Sequence, residues 1–275
     1  MPLTSAEIAK LEEPRQAKIL ADSTPTVRPF AGGVMGFHEP GSWQNQACGV
    51  GLEGPVSDDE IDAMIDFYES RGVEARVELS PFAHETLVAG LAARGFVVRE
   101  FENVLARELP PGEELEGALP FGRPAGLELT RIASSDHDSL ELASRLTLSG
   151  FFPDGQIPKS MLDACRRTLA LESTLVYLAT IDGQPIAVGS VGVGGRVGSL
   201  MGVSTLPGFR RRGVQQTLMV TRLLDVRERG CVLATIGSRP GIATERNAMR
   251  VGFVMAYTKV TVGRPLAREA GLGAP

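Results

Sequence analysis

The chain reads as a mixed α/β (α+β) protein made of two similar units. Three observations predict this. Strands and helices alternate along most of the sequence, one succession of elements occurs twice, and a Pro/Gly-rich stretch lies between the two occurrences. The repeated succession is helix, Gly, strand, helix, Gly-Phe, strand. Its glycine marks are Gly72 and Gly95 in the N-terminal half, 23 positions apart, and Gly230 and Gly252 in the C-terminal half, 22 apart. Between them Pro110, Pro111, Gly112, Gly117, Pro120, Gly122, Pro124 and Gly126 cluster among acidic residues, so a boundary is expected within 110–126. The halves are taken as 1–123 and 124–275.

In the N-terminal half, 47–52 is strand-like and passes Gly54 and Pro55 into a helix. Ser57 is its expected N-cap, Glu60 completes a capping box, and the helix ends before Gly72. A strand over 74–79, a helix over 83–94 and a strand from 97 to about 109 follow. The C-terminal half begins with a strand over 127–132 and a helix over 135–148 capped by Ser134 or Ser135. A helix over 158–171 and a strand over 175–181 come next. Asp182-Gly183 then turns the chain into a strand over 185–193. The apolar run 197–203 is the next strand, with Gly192 to Gly195 in the hairpin before it. A helix over 213–229, a strand over 231–236, a helix near 243–251, Gly252-Phe253 and a closing strand complete the order.

Composition excludes several classes. No apolar run reaches the roughly 18 residues of a membrane span. The N-terminus, with Glu7, Lys10, Glu12 and Glu13, lacks the apolar segment of a signal peptide, so a cytoplasmic protein is expected. Cys48, Cys165 and Cys231 form no CxxC and are expected as reduced thiols, mostly buried. His38, His84 and His137 are dispersed, and no metal site is expected. Residues 1–123 carry 10 Lys/Arg against 21 Asp/Glu, net −11, whereas 124–275 carry 18 against 12, net +6. The basic half suits a polyphosphate ligand, and the acidic half a cationic acceptor such as an amine. Basic residues form no long patch and aromatics are scarce, so nucleic acid is not an expected partner. The expected assembly is a monomer or a homodimer.

The turn after 197–203 carries the chemistry. Thr205, Pro207 and Gly208 end the strand, and Arg210, Arg211, Arg212 and Gly213 lead directly into a helix with Val214, Leu218, Leu223 and Leu224 on its apolar positions. A glycine there admits close approach of a ligand to the backbone. The first N–H groups of the helix, its dipole and the guanidinium groups all favour an anion, most naturally a diphosphate. The turn has neither the GxxxxGK[ST] of nucleotide hydrolases nor a GxGxxG with a following acidic residue. In the N-terminal half the same position reads Asp58, Asp59, Glu60, which repels phosphate. One such site per chain is therefore expected.

Arg-x-x-Gly-x-Gln, from Arg210 to Gln215, resembles the acyl-coenzyme A loop of the GNAT superfamily of N-acetyltransferases, whose pattern is [Gln/Arg]-x-x-Gly-x-[Gly/Ala]. Gln215 departs from the small final residue. The element order over about 127–263 is similar to that family's, and Arg246 to Phe253 resembles its late helix ending in Gly-Phe. The N-terminal half resembles a degenerate second copy, as in tandem members. The resemblance implies two units, each a mixed, mostly antiparallel central sheet flanked by helices. It also implies transfer of an acetyl group from acetyl-coenzyme A to a primary amine of a small molecule or peptide by direct attack. Backbone groups of Val203, Ser204 and Thr205 would take the pantetheine arm. The turn from Arg210 through Arg211, Arg212, Gly213, Val214 and Gln215 to Gln216 would cradle the pyrophosphate, and Asn247 would touch the arm. A backbone N–H would stabilise the oxyanion.

Family members commonly carry a tyrosine four residues before the late-helix glycine, and here that position is Ala248. Tyr257 in the following strand is the nearest tyrosine and the candidate acid, its ordinary role being packing with an exposed hydroxyl. Ser199, Leu200 and Met201 supply no carboxylate base, leaving a relayed water, Glu39 or His38. The acceptor pocket is expected between the halves, with His38, Glu39 and Trp43 on one wall and Phe151 and Phe152 on the other. A non-catalytic acyl-coenzyme A sensor and an interaction module with a decayed acetyltransferase fold remain alternatives at this point.

Overall fold

Helix α1 (Ser5–Ser23) is the first element of the computed structural model, which describes residues 2–119 and 122–266. No apolar stripe announces it. Its buried residues include Glu12, Glu13, Arg15 and Ser23 beside Ile8, Ile19 and Leu20, and Pro14 sits in its interior. Charged residues on the buried face erase the 3.6-residue pattern by which a helix is read. The sequence reading assigned neither α1 nor the hairpin β1 (Thr26–Phe30) and β2 (Gly33–Phe37) that follows it.

Strand β3 (Gln46–Cys48) is shorter than the expected 47–52, because Gly49 and Gly51 turn to φ +69° and +74°. Helix α2 (Asp58–Glu69) carries the predicted capping box: Ser57 Oγ accepts the Glu60 N–H at 3.3 Å, and Glu60 Oε2 accepts the Ser57 N–H at 2.9 Å. Then come β4 (Ala75–Leu79), α3 (Glu85–Ala93) and β5 (Val97–Glu108). After β6 (Leu127–Ile132), helix α4 (His137–Ser149) is capped by Asp136, whose Oδ1 accepts the Ser139 N–H at 3.1 Å. This corrects the expected cap at Ser134 or Ser135. Helix α5 (Lys159–Leu169), β7 (Thr174–Ile181), β8 (Gln184–Gly194) and β9 (Val197–Thr205) fall close to expectation. So do α6 (Val214–Glu228), α7 (Ala243–Arg250) and β11 (Val254–Arg264). Strand β10 (Leu233–Ser238) starts two residues late, since the Cys231 and Val232 N–H groups bond the carbonyls of Val226 and Arg196 outside the ladder.

Two units result, neither continuous in sequence. Of the described residues, the first unit holds Ser5–Glu102 and 257–266, and the second holds 2–4 and Asn103–Ala256. The described residues of the stretch 110–126 lie in the second unit, and Pro120 falls outside the described residues. Pairing explains the exchange of strand ends. Asn103–Glu108 of β5 pairs with β10, while Val260–Arg264 of β11 pairs with β4.

In the first unit β1, β2 and β3 pair antiparallel, β3 meets β4 in parallel at Ala47↔Val77, and β4 is antiparallel to β11. Ile61, Met64 and Tyr68 of α2 with Leu87 and Leu91 of α3 cover Ala47, Ala75 and Val77. The second unit has the order β5-β10-β9-β8-β7-β6, antiparallel except for β9 with β10. Its helices cover both faces, as β7 shows by alternation. Leu175, Tyr177 and Ala179 pack with Leu218 and Leu223 of α6, while Val176 and Leu178 pack with Leu140 of α4 and Leu169 of α5. Burying a leucine such as Leu218 contributes about 2 kcal/mol. The three cysteines are free and buried.

Candidate functional site

Strands β9 and β10 part company midway. They pair from Val197↔Leu233 to Leu200↔Ile236, after which β9 runs on to Thr205 with no β10 partner. A bulge marks the parting. Along β8 the partners step from Val188↔Ser204 to Ser190↔Met201, so Gly189 stands opposite two β9 residues, Gly202 and Val203. Gly202 has φ +57°, and a Cβ on it would lie 2.7 Å from Ser190 Oγ, so the bulge requires glycine. The result is a strand end whose β10-facing edge is left unpaired.

The chain then makes a 3-10 turn at Pro207–Phe209 and enters α6 through Arg210–Gly213. Arg211 adopts φ +63°, and the N-cap Gly213 has φ +84°, ψ −5°. No side chain caps α6. The Thr217 N–H bonds the Gly213 carbonyl at 3.0 Å, so the N–H groups of Val214, Gln215 and Gln216 precede the intrahelical ladder. A positive dipole end without a side-chain acceptor is a place for an anion.

These elements border a cavity of about 670 Å³. Strand β9 contributes Val203, Ser204 and Thr205. The turn contributes Phe209, Arg210, Arg211 and Gly213, and α6 contributes Val214, Gln215 and Gln216. Asn247 lines it as well. Of the residues expected to hold the coenzyme, only Arg212 is absent from the wall: its guanidinium lies over the Phe209 ring at 5.3 Å. The sequence reading missed Gly150 and the α7 residues Ala243, Thr244, Arg246 and Arg250. The α7 signal was available, since positions 243, 246, 247 and 250 share one helix face.

Arginine dominates the electrostatics. Among the described residues Arg210, Arg211, Arg246 and Arg250 make no salt bridge. Arg210 Nε donates to the Thr205 carbonyl at 3.0 Å, Arg246 Nη1 to the Gly241 carbonyl at 2.6 Å, and Arg250 Nη1 to Asn247 Oδ1 at 3.0 Å. Gln215 Oε1 accepts from Asn247 Nδ2 at 2.6 Å, tying α6 to α7 at the cavity wall.

The expected acid and acceptor residues are not among those lining this cavity. Tyr257 is buried in the first unit and its hydroxyl donates to Glu13 Oε1 at 2.7 Å, contrary to the exposed hydroxyl expected of it. Burial and the adjoining Glu13 carboxylate raise its pKa far above the ordinary phenol value. Ala248 is fully buried in the core beside α6. In the first unit the loop from His38 is fastened by Asn45, whose Oδ1 accepts the His38 N–H at 3.0 Å and whose Nδ2 donates to the Glu39 carbonyl at 2.8 Å. Trp43 is exposed. Phe151 is exposed and Phe152 packs beside α4, and both follow the cavity residue Gly150 without lining the cavity themselves. Among the described residues no helix is long and apolar enough to cross a membrane, and no cluster of His, Cys, Asp or Glu is placed to hold a metal.

No family model and no curated protein matches the chain. Solved structures do. A GCN5-related N-acetyltransferase from Kribbella flavida matches over 97% of this chain and 98% of its own, at 20% identity and TM-score 0.67. A tandem GNAT protein from the clavulanic acid biosynthesis pathway matches over 96% and 97%, at 12% identity and TM-score 0.58. A GCN5-related N-acetyltransferase from Sphaerobacter thermophilus matches over 70% and 59%, at 15% identity and TM-score 0.51. The fold is that of the GNAT N-acetyltransferases, and the likeness to a tandem member runs through nearly the whole chain.

Proposed function

We propose that this chain is an N-acyltransferase that moves an acetyl group from acetyl-coenzyme A to a primary amine by direct attack. Residues 124–275 form the coenzyme-binding copy, and 1–123 form its degenerate counterpart. One observation carries the reading. The start of α6 lacks any side-chain cap, is held open by Gly213, and borders, with salt-bridge-free arginines, a cavity that continues along the unpaired end of β9.

The residues fit the coenzyme's chemistry. The first N–H groups of α6 with Arg210 and Arg211 suit a pyrophosphate, and Arg246 and Arg250 add charge from α7. The unpaired edge at Val203, Ser204 and Thr205 suits an amide-bearing arm, which an open strand edge can bond. Acetyl-coenzyme A supplies an activated thioester carbonyl. Within the protein, an N–H of the β9 bulge donates to that oxygen as it gains charge, and the walls hold the carbonyl and a neutral amine together. The amine belongs to a small molecule or a peptide.

Calorimetric titration of the full chain with acetyl-coenzyme A, beside Gly213→Glu, tests this. Binding by the native chain and its loss in the variant are expected, and equal binding by both would sink the assignment of the site. The burial of Ala248 and the engagement of Tyr257 with Glu13 favour a second reading, a non-catalytic acyl-coenzyme A sensor. Release of free thiol with a panel of amines separates the two, for a sensor releases none.

A further inference from the structure

Arg222 on α6 is completely buried, and none of its contacts is a carboxylate. A lone buried cation is costly unless its hydrogen bonds repay the loss of water. Burial lowers its pKa to about 9, which leaves it cationic at neutral pH. Its bonds are all to backbone carbonyls. Nε donates to Leu218 at 2.9 Å in its own helix, and Nη1 donates to Ser190 at 2.8 Å and to Met201 at 3.4 Å, while Nη2 has no partner. Both strand carbonyls belong to the bulge. Gly189, the residue opposite the bulge, leaves the room: a Cβ there would stand 3.1 Å from the guanidinium carbon.

Two more side chains grip the same short segment. Ser190 Oγ donates to the Met201 carbonyl at 3.0 Å, and Thr147 Oγ1 of α4 donates to the Gly202 carbonyl at 3.3 Å. Two successive peptides of β9 thus have their carbonyls held by side chains. Both peptides are trans, so each N–H points opposite to its carbonyl. The N–H of Gly202 therefore points away from Arg222 and Ser190, and that of Val203 away from Thr147. A donor on a carbonyl polarises the whole peptide and strengthens its N–H as a donor in turn, more so when the first donor is charged and buried.

We infer that Arg222 is a positioning residue for acyl transfer: it fixes the β9 bulge and, through the Met201–Gly202 peptide, charges the N–H donors that meet the thioester oxygen. This rests on the acyltransferase reading. It offers a source of positive potential where Ala248 supplies no acid. A neutral donor would satisfy the two carbonyls, whereas only a cation adds field at the bulge.

The test uses acetyl-coenzyme A labelled with carbon-13 at the thioester carbonyl and bound to the full-length chain, because that carbon's resonance moves downfield as donors polarise the carbonyl. Native protein is expected to shift the bound resonance from its free position. Arg222→Met and Arg222→Gln are expected to lose most of the shift while the dissociation constant stays near native, since the phosphate turn is untouched. Arg222→Lys is expected to recover much of it. A folded Met or Gln variant that binds with the native shift would make Arg222 merely structural and overturn the inference. So would failure of both variants to melt cooperatively, which would mark a folding residue. Absence of binding by the native chain would instead remove the acyltransferase reading itself.

Discussion

The starts of α2 and α6 occupy the same place in the repeated succession and are built in opposite ways. At α2 the Ser57 hydroxyl and the Glu60 carboxylate satisfy each other's backbone N–H groups, with Asp58 and Asp59 beside them. At α6 the cap is a glycine with φ +84°, no side chain bonds the first turn, and three arginines precede it. Orphan donors at a helix start must be met by something. The first solution meets them within the chain and serves stability. The second leaves them open toward the cavity, which is what the proposed coenzyme site requires.

Converting one start into the other gives the largest effect. The triple variant Arg210→Asp, Arg211→Asp, Arg212→Glu imposes the acidic start of α2 on α6. Losing two charge-assisted contacts removes about 4 kcal/mol, or roughly a thousandfold in acetyl-coenzyme A affinity by calorimetry. Near-native affinity would show that the arginines face the solvent and nothing else. Gly213→Ala is the next step down. The added Cβ meets nothing closer than 3.7 Å, so the cost is conformational, about 1 kcal/mol for a left-handed position. Both the melting midpoint and the affinity should fall, the affinity by roughly fivefold. Ser57→Ala sharpens the contrast from the other side. It should lower stability by about 1 kcal/mol and leave acetyl-coenzyme A binding untouched. A change in affinity there would mean that the two starts are not independent.

How much of this was legible depended on whether a residue's role is local. The capping box, the Asp182-Gly183 turn and the Arg210–Gln216 stretch announce themselves because each acts within a few positions. Helix α1 was silent because Glu12, Glu13 and Arg15 are buried in it, which breaks the apolar stripe. Arg15 and Glu12 satisfy each other at 2.6 Å, while Glu13 needs Tyr257, 244 positions away. Tyr257 was misread for the same reason: nothing near it in sequence shows that a carboxylate waits for its hydroxyl. Arg222 is the sharpest case. The α6 pattern puts it on the buried face, one turn from Leu218 and from Val226, but nothing near it in sequence shows that the carbonyls of Ser190 and Met201 receive its guanidinium.

Where each unit keeps its charges extends the comparison and yields the smallest prediction. Among the described residues the cavity arginines of the second unit make no salt bridge, whereas the first unit buries a lysine among carboxylates. There Lys259 is 2% exposed, lies 3.6 Å from Glu13, 3.5 Å from Glu78 and 3.9 Å from Glu102, and also donates to Gln16. Burial raises the pKa of Glu13, and it raises that of Glu102 to about 7, with Lys259 opposing both shifts. In the unfolded chain these carboxyls titrate near 4.5. The folded state therefore holds more protons between about 4.5 and 7, and the contribution of Glu102 to stability is fully present below that window and is lost as the pH rises through it. Glu60 and Asp163, held below their ordinary values by hydrogen bonds and by arginines, act with the opposite sign, but only at lower pH. The Glu102 side chain is 35% exposed, so water offsets part of the burial penalty and the slope is shallow. The melting midpoint should fall modestly from pH 5 to pH 8, and Glu102→Gln should flatten the fall by removing a carboxyl that titrates within that range. A midpoint that rises over the same range would mean that the first unit's carboxylates are stabilised as anions by Lys259, reversing the contrast between its buried charges and the open arginines of the cavity.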